Sequence, residues 1–276
     1  MSLRIAFDCD GVVADLDSAL AEIVTRLFGE APPDAEPAAE PAAGPESVAA
    51  SDNGAAAPDA QARAAAAPGA DEPAVAPPAA DASAGDAPAA DGPTDEEVQA
   101  APARFRALSR RQQHDLWEAV RNTENFWESL TETEPGIIAR LAQLARERRW
   151  EVIFITQRPS SAGDTTQLQT QRWLIAHGFD LPSVYVIKGT RGKVAEALSL
   201  DIVVDDRPEN CLDVKLESRA RAILVWNDDL ANLPPNARRL GIEPVTSLGA
   251  CLDLLAEVPA AAKPGLFTRI KQLIGA

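Results

Sequence analysis

Few of the features that announce a membrane, secreted or nucleic-acid-binding protein occur in this sequence. Cysteine is scarce: Cys9, Cys211 and Cys251 are odd in number, widely spaced and free of any CxxC or Cys/His cluster. That pattern argues against a disulfide framework and against a zinc site. The two histidines, His114 and His177, stand alone and are given no role. Long hydrophobic runs are missing too. No stretch approaches the ~20 apolar residues of a membrane span. The opening run Leu3-Arg4-Ile5-Ala6-Phe7 is too short for the core of a secretion signal and has no cleavage site. A cytoplasmic protein is expected. Basic residues number 26 against 42 acidic ones, and no basic stripe could neutralise a phosphate backbone. A dedicated nucleic-acid binder is therefore not expected.

The acidity is concentrated in one place. Residues 30–93 hold 27 alanines, 12 of the 22 prolines, and 12 acidic side chains against one basic residue, Arg63. They supply −11 of the formal −16, so the rest of the chain is only mildly acidic. Without periodicity and with almost no large apolar side chains, this stretch reads as a disordered linker. Its prolines interrupt any helix that polyalanine would start.

Outside the linker, strand-like and helix-like patterns alternate. Apolar runs occur at 3–7, 151–155, 184–187, 202–204 and 222–226. Helical periodicity marks 15–28, where Leu16, Leu20, Ile23, Val24, Leu27 and Phe28 share one face, and 135–149. Further helices fit 165–177, 192–199, 209–219 and 247–257. Continuous apolar strands separated by helices imply a parallel sheet covered on both faces. The expected core is 1–14 with 135–260, and a small helical cap is formed by 15–29 and 94–134. The 261–276 tail would carry a short amphipathic helix that docks on its own domain.

Ligands of such sheets bind at the carboxyl ends of the strands. The first strand ends in Asp8-Cys9-Asp10-Gly11-Val12, the second in Thr156-Gln157-Arg158-Pro159, and the fourth in Asp205-Asp206-Arg207-Pro208. Four aspartates on one edge repel one another and raise each other's pKa unless a cation lies among them. Hard oxygen ligands without His or Cys select magnesium over zinc or copper. In the D-x-D spacing both carboxylates can face one substrate. One can then attack phosphorus while the other protonates the leaving oxygen and later activates water. Thr156 offers a hydroxyl and the backbone N–H groups that follow it, and Lys193 a fixed positive charge, to the phosphoryl oxygens. Lys193 is preferred to Lys188 because it begins a helix and stands twelve residues before Asp205.

The Asp8–Val12 segment resembles the first motif of the haloacid dehalogenase (HAD) superfamily. Thr156, Lys193 and Asp205-Asp206 resemble its second, third and fourth motifs, in that order. The resemblance covers the chain apart from the linker and the last dozen residues. It implies an α/β, Rossmann-like parallel sheet of five core strands with helices on both faces and a small helical cap inserted after the first strand. It further implies Asp8 as nucleophile, Asp10 as acid and base, and Mg2+ held by Asp8, Asp10, Asp205 and Asp206. The expected reaction is hydrolysis of a small phosphorylated metabolite through an aspartyl phosphate. The DCDGV sequence, Phe126-Trp127 and Asp205-Asp206-Arg207-Pro208 are similar to those of 5′(3′)-deoxyribonucleotidases and their bacterial relatives. The 64-residue linker and Thr156-Gln157-Arg158 depart from that group and leave the substrate open. Gln157, Arg158 and Trp127 are the expected substrate contacts, with Trp127 placed to stack on a base.

A non-catalytic interaction protein, a HAD fold with an acidic tether, is the competing reading. The four intact motifs favour the enzyme. Cys9 is read as packing. If the linker reading is right, deleting 33–92 leaves cooperative thermal unfolding in place. The segment has too little apolar area to join a core, and loop-closure entropy changes by only ~0.6 kcal/mol per doubling of length. Loss of the cooperative transition in calorimetry would overturn it.

Overall fold

The computed structural model describes residues 2–29, 93–94, 97 and 100–257. The 30–93 linker, Pro93 excepted, and the 261–276 tail lie outside the described residues. Six strands form one parallel sheet: β1 (Arg4–Asp8), β2 (Glu151–Thr156), β3 (Ser183–Val186), β4 (Ile202–Asp205), β5 (Arg221–Val225) and β6 (Glu243–Val245). Their order is β3-β2-β1-β4-β5-β6, a Rossmann-like α/β arrangement.

The apolar runs are continuous because both faces of the sheet are covered. Ile5, Phe7, Phe154 and Val204 join the core on one face, together with residues of α1 (Leu16–Phe28), α2 (Arg110–Asn122), α3 (Ile137–Arg148), α4 (Thr166–Ala176) and α8 (Leu248–Ala256). Ala6, Ile153, Ile155, Val203 and Leu224 join the other core, against α5 (Arg191–Ala197), α6 (Pro208–Glu217) and α7 (Pro235–Arg239). The alternation follows the period of two along a strand. Each fully buried Leu, Ile or Phe contributes roughly 1.5–3 kcal/mol. The α1 and α2 helices, expected to belong to a cap, pack into the same apolar cluster as Phe7 and Phe154. Among the described residues, no helix is long and apolar enough to cross a membrane.

The sheet has six strands rather than the five expected. Glu243-Pro244-Val245 is three residues long with a proline in its middle, which reads as loop. A proline is tolerated there because β6 is an edge strand, paired on one side only, to β5. The short α7, led by Pro235 at its first turn, escaped the periodicity reading for the same reason of length.

Connection direction reverses between β1 and β4, and the crevice at their carboxyl ends is where such sheets bind ligands. The β1–α1 turn is tight. Val13 and Ala14 donate to the Cys9 carbonyl (3.0 and 2.8 Å), and Gly11 N–H donates to Ala14 O at 2.9 Å. The 131–133 segment staples it: Asp15 N–H donates to Thr131 O at 2.9 Å, and the Thr133 hydroxyl to Val12 O at 2.7 Å. Asp15 caps α1 by accepting from Ser18 N–H at 2.9 Å, which leaves Asp8 and Asp10 free of any capping duty there.

Candidate active site

Asp8, the last residue of β1, is 5% exposed, and Asp205, the last of β4, is fully buried. Both are held by Arg191 at the start of α5. Its Nη2 donates to Asp8 Oδ1, and its Nε donates to Asp205 Oδ2 at 3.3 Å. Asp205 also accepts from the Arg207 N–H at 2.9 Å and from Asn210 Nδ2 at 3.0 and 3.1 Å. Burial pushes the Asp205 carboxyl up to about 6 against the pull of Arg191 and Asn210. Burial also raises Asp8 well above the ordinary carboxylate range, with Arg191 opposing it and the Asp205 and Asp10 charges adding to it. Asp206 is raised by burial first, then by the Asp205 and Asp8 charges.

Asp10 is held differently. Arg158 Nε donates to both of its oxygens at 3.0 Å, Arg158 Nη2 donates to Oδ1 at 2.7 Å, and the Thr156 hydroxyl donates to Oδ2 at 3.3 Å. The Asp10 side chain keeps 18% exposure while that of Arg158 has none. Asp10 thus reaches the pocket, and Arg158 stands behind it.

Asp8, Asp10, Arg191 and Asp206 line a cavity of about 480 Å3, together with Gln157, Ser18 and Asn227. Two of the lining residues have a buried atom without a hydrogen-bond partner among the described residues, Arg191 Nη1 and Asp206 Oδ1. One is a donor suited to an anionic oxygen and the other an acceptor suited to a cation. Gly11 makes room for Asp206: it sits at φ +79°, and a Cβ built there would overlap Asp206 Oδ2.

Asp8, Asp10, Thr156, Asp205 and Asp206 are brought together as the spacing predicts, and Gln157 lines the cavity while its Nε2 donates to Gly189 O at 3.2 Å. Lys193 is not among them. It is exposed on α5, where its charge acts on Asp213, and Arg191 fills the position expected of it. At 100° per residue, positions two apart on a helix look in nearly opposite directions, so only one of the pair can face the carboxylates. Among the described residues no group of three or more carboxylate, imidazole or thiol side chains is drawn up around a metal position. Arginines stand between the aspartates instead, Arg191 between Asp8 and Asp205, Arg158 against Asp10.

Trp127 and Arg158 are not pocket walls either. Trp127 is fully buried, its Nε1 donates to Pro159 O at 3.0 Å, and its ring lies under the Arg158 guanidinium at 4.9 Å. No base could reach it. Little in the sequence marks Arg191 or Asn210: a single Arg at a helix start or an Asn in the first turn of a helix is ordinary. The Thr190 cap before Arg191 was the one available hint, since it places Arg191, not Lys193, first in the helix.

No protein-family model matches this chain, and no curated protein matches it. Among solved structures, a hydrolase from Pseudomonas syringae is similar over 94% of this chain and 100% of its own, at 9% identity and a TM-score of 0.44. A protein proposed to be a beta-phosphoglucomutase from Thermotoga maritima is similar over the same shares, at 16% identity and a TM-score of 0.45.

Gly11→Ala is expected to displace the Asp206 carboxylate and strain the positive-φ turn, at a cost of roughly 1–3 kcal/mol. Thermal unfolding of the purified variant checks this; a melting temperature equal to that of the parent would mean that Asp206 has other room to occupy.

Proposed function

We propose that this chain is a magnesium-dependent phosphohydrolase of the HAD type that cleaves a small phosphomonoester through an aspartyl-phosphate intermediate. The observation that carries the reading is the pair of orphaned buried atoms on two residues that line the cavity: Arg191 Nη1 in want of an anionic oxygen and Asp206 Oδ1 in want of a cation, beside the carboxylate of Asp8. The inner set holds four aspartates against two arginines, an excess of carboxylates that a cation would offset.

Asp8 and Asp206 are the residues that would hold magnesium. The oxygens of Asp10 are engaged by Arg158 and Thr156, and those of Asp205 by Arg191, Asn210 and the Arg207 N–H. Bound there, magnesium would neutralise the charge that burial makes costly and draw a phosphoryl group into the cavity. An oxygen of Asp8 attacks phosphorus, the ester P–O bond breaks, and the leaving oxygen takes a proton from the Asp10 carboxyl. In the second half, Asp10 takes a proton from water as that water attacks the aspartyl phosphate, which frees Asp8 and inorganic phosphate. Arg191 Nη1 donates to a phosphoryl oxygen throughout, and Arg191 Nη2 keeps Asp8 oriented. The described lining is mostly polar and charged, which supports a small polar phosphomonoester as substrate.

With para-nitrophenyl phosphate and magnesium, Asp8→Asn is expected to reduce phosphate release to background. Arg191→Ala should lower kcat/KM by roughly 10²–10³, while Lys193→Ala should stay within about twofold of the parent, as exposed substitutions usually do. Parental turnover by Asp8→Asn would refute the aspartyl-phosphate reading. A large loss in Lys193→Ala with none in Arg191→Ala would reverse the assignment of the cation.

A further inference from the structure

Among the described residues, Arg158 is a buried cation that does not itself line the cavity, and what surrounds it is built to hold its plane still. Three of its contacts go to Asp10, and Nη1 donates to Thr170 Oγ1 at 2.9 Å. Thr170 is fixed in turn, its hydroxyl donating to Thr166 O at 2.8 Å. The face of the guanidinium lies over the Trp127 ring. Trp127 is pinned at both ends: Nε1 donates to the carbonyl of Pro159, the residue after Arg158, and its backbone N–H donates to Gln169 Oε1 at 3.1 Å. Phe126 meets its ring edge-on at 4.9 Å. A guanidinium held along one edge by a carboxylate, at another by a hydroxyl, and across its face by an indole has no remaining freedom to turn.

We infer that Trp127 is a positioning residue for catalysis, acting through Arg158 to hold Asp10 where it must exchange a proton with the leaving oxygen. This rests on the reading of Asp10 as the proton donor given above. When the proton departs, Asp10 becomes a carboxylate, and Arg158 stabilises it at the place where it next receives a proton from water. Proton transfer needs the donor within hydrogen-bond reach in a fixed direction, and small misplacements are costly. An aryl leaving group of low basicity departs with little help, whereas an alkoxide needs the proton. Misplacing Asp10 therefore hurts alkyl esters more than aryl esters, and this distinguishes positioning from packing. Loss of core packing alone lowers the fraction of folded enzyme and reduces both activities equally.

The test compares kcat/KM for para-nitrophenyl phosphate and glycerol phosphate in the full-length protein with magnesium, for the parent, Asp10→Asn, Trp127→Leu, Trp127→Phe and Thr170→Val. Asp10→Asn should lose roughly 10²–10⁴ on glycerol phosphate and far less on the aryl ester. Trp127→Leu should lose about tenfold more on the alkyl than on the aryl ester, while Trp127→Phe, which keeps the ring face, recovers most of that difference. Thr170→Val, a smaller change that removes the other anchor of Arg158, should move in the same direction and keeps the test open if Trp127→Leu does not fold. Equal losses on both esters in Trp127→Leu and Thr170→Val, beside a selective loss in Asp10→Asn, would overturn the positioning role and leave Trp127 as core. A non-selective Asp10→Asn would instead remove Asp10 as proton donor, and this inference with it.

Discussion

Arg191 lies between Asp8 and Asp205 at the seam where the direction of the connections reverses, and the layout of the site depends on the charge balance it sets. Burying a carboxylate without a partner is expensive, and two at adjacent strand ends are worse. The guanidinium answers both with one side chain, binding β1 and β4 to the first turn of α5. Removing one partner of a buried pair costs roughly 3–5 kcal/mol, more than the pair itself contributes to stability. The cluster is therefore better understood as a device for holding Asp8 in place than as a source of stability.

The second arginine divides the labour. Arg158 belongs to the exit of β2 and grips Asp10 from behind, out of reach of the cavity. The two carboxylates of the D-x-D turn, two residues apart, are thus held by different arginines from different elements. One has a cation that lines the cavity and the other has a cation sealed against an indole. That asymmetry gives two chemically identical groups separate environments, the condition that the nucleophile and proton-transfer roles proposed for them would need. Asp206 completes the arrangement because Gly11 leaves it room that any side chain would take.

Much of the fold could be read along the chain. The apolar runs of β1, β2, β4 and β5 are uninterrupted, and the helices beside them have clear periodicity or clear caps, so their identities follow from local chemistry. The structure adds β6 and α7, which are too short and too rich in proline to rise above the background of a loop. Asp8, Asp10, Thr156, Asp205 and Asp206 could be placed on one edge because Asp8, Thr156 and Asp205 end strands, Asp10 and Asp206 follow within two residues, and parallel strands end on the same side.

The partners of those residues could not be read in this way. Whether Arg191 or Lys193 faces the carboxylates depends on where a seven-residue helix starts, a matter of one turn's phase that the Thr190 cap settles. Whether Arg158 and Trp127 meet a substrate or each other depends on how the 126–128 turn docks on α4 and the β2 exit, contacts between residues some thirty apart in the chain. Sequence alone determined the order of the strands' carboxyl-end residues and the oxygen-rich character of the site, because those follow from residue type and strand direction. Only the tertiary structure decided which cation neutralises which aspartate, because pairing depends on side-chain direction across elements that the chain brings together only when folded.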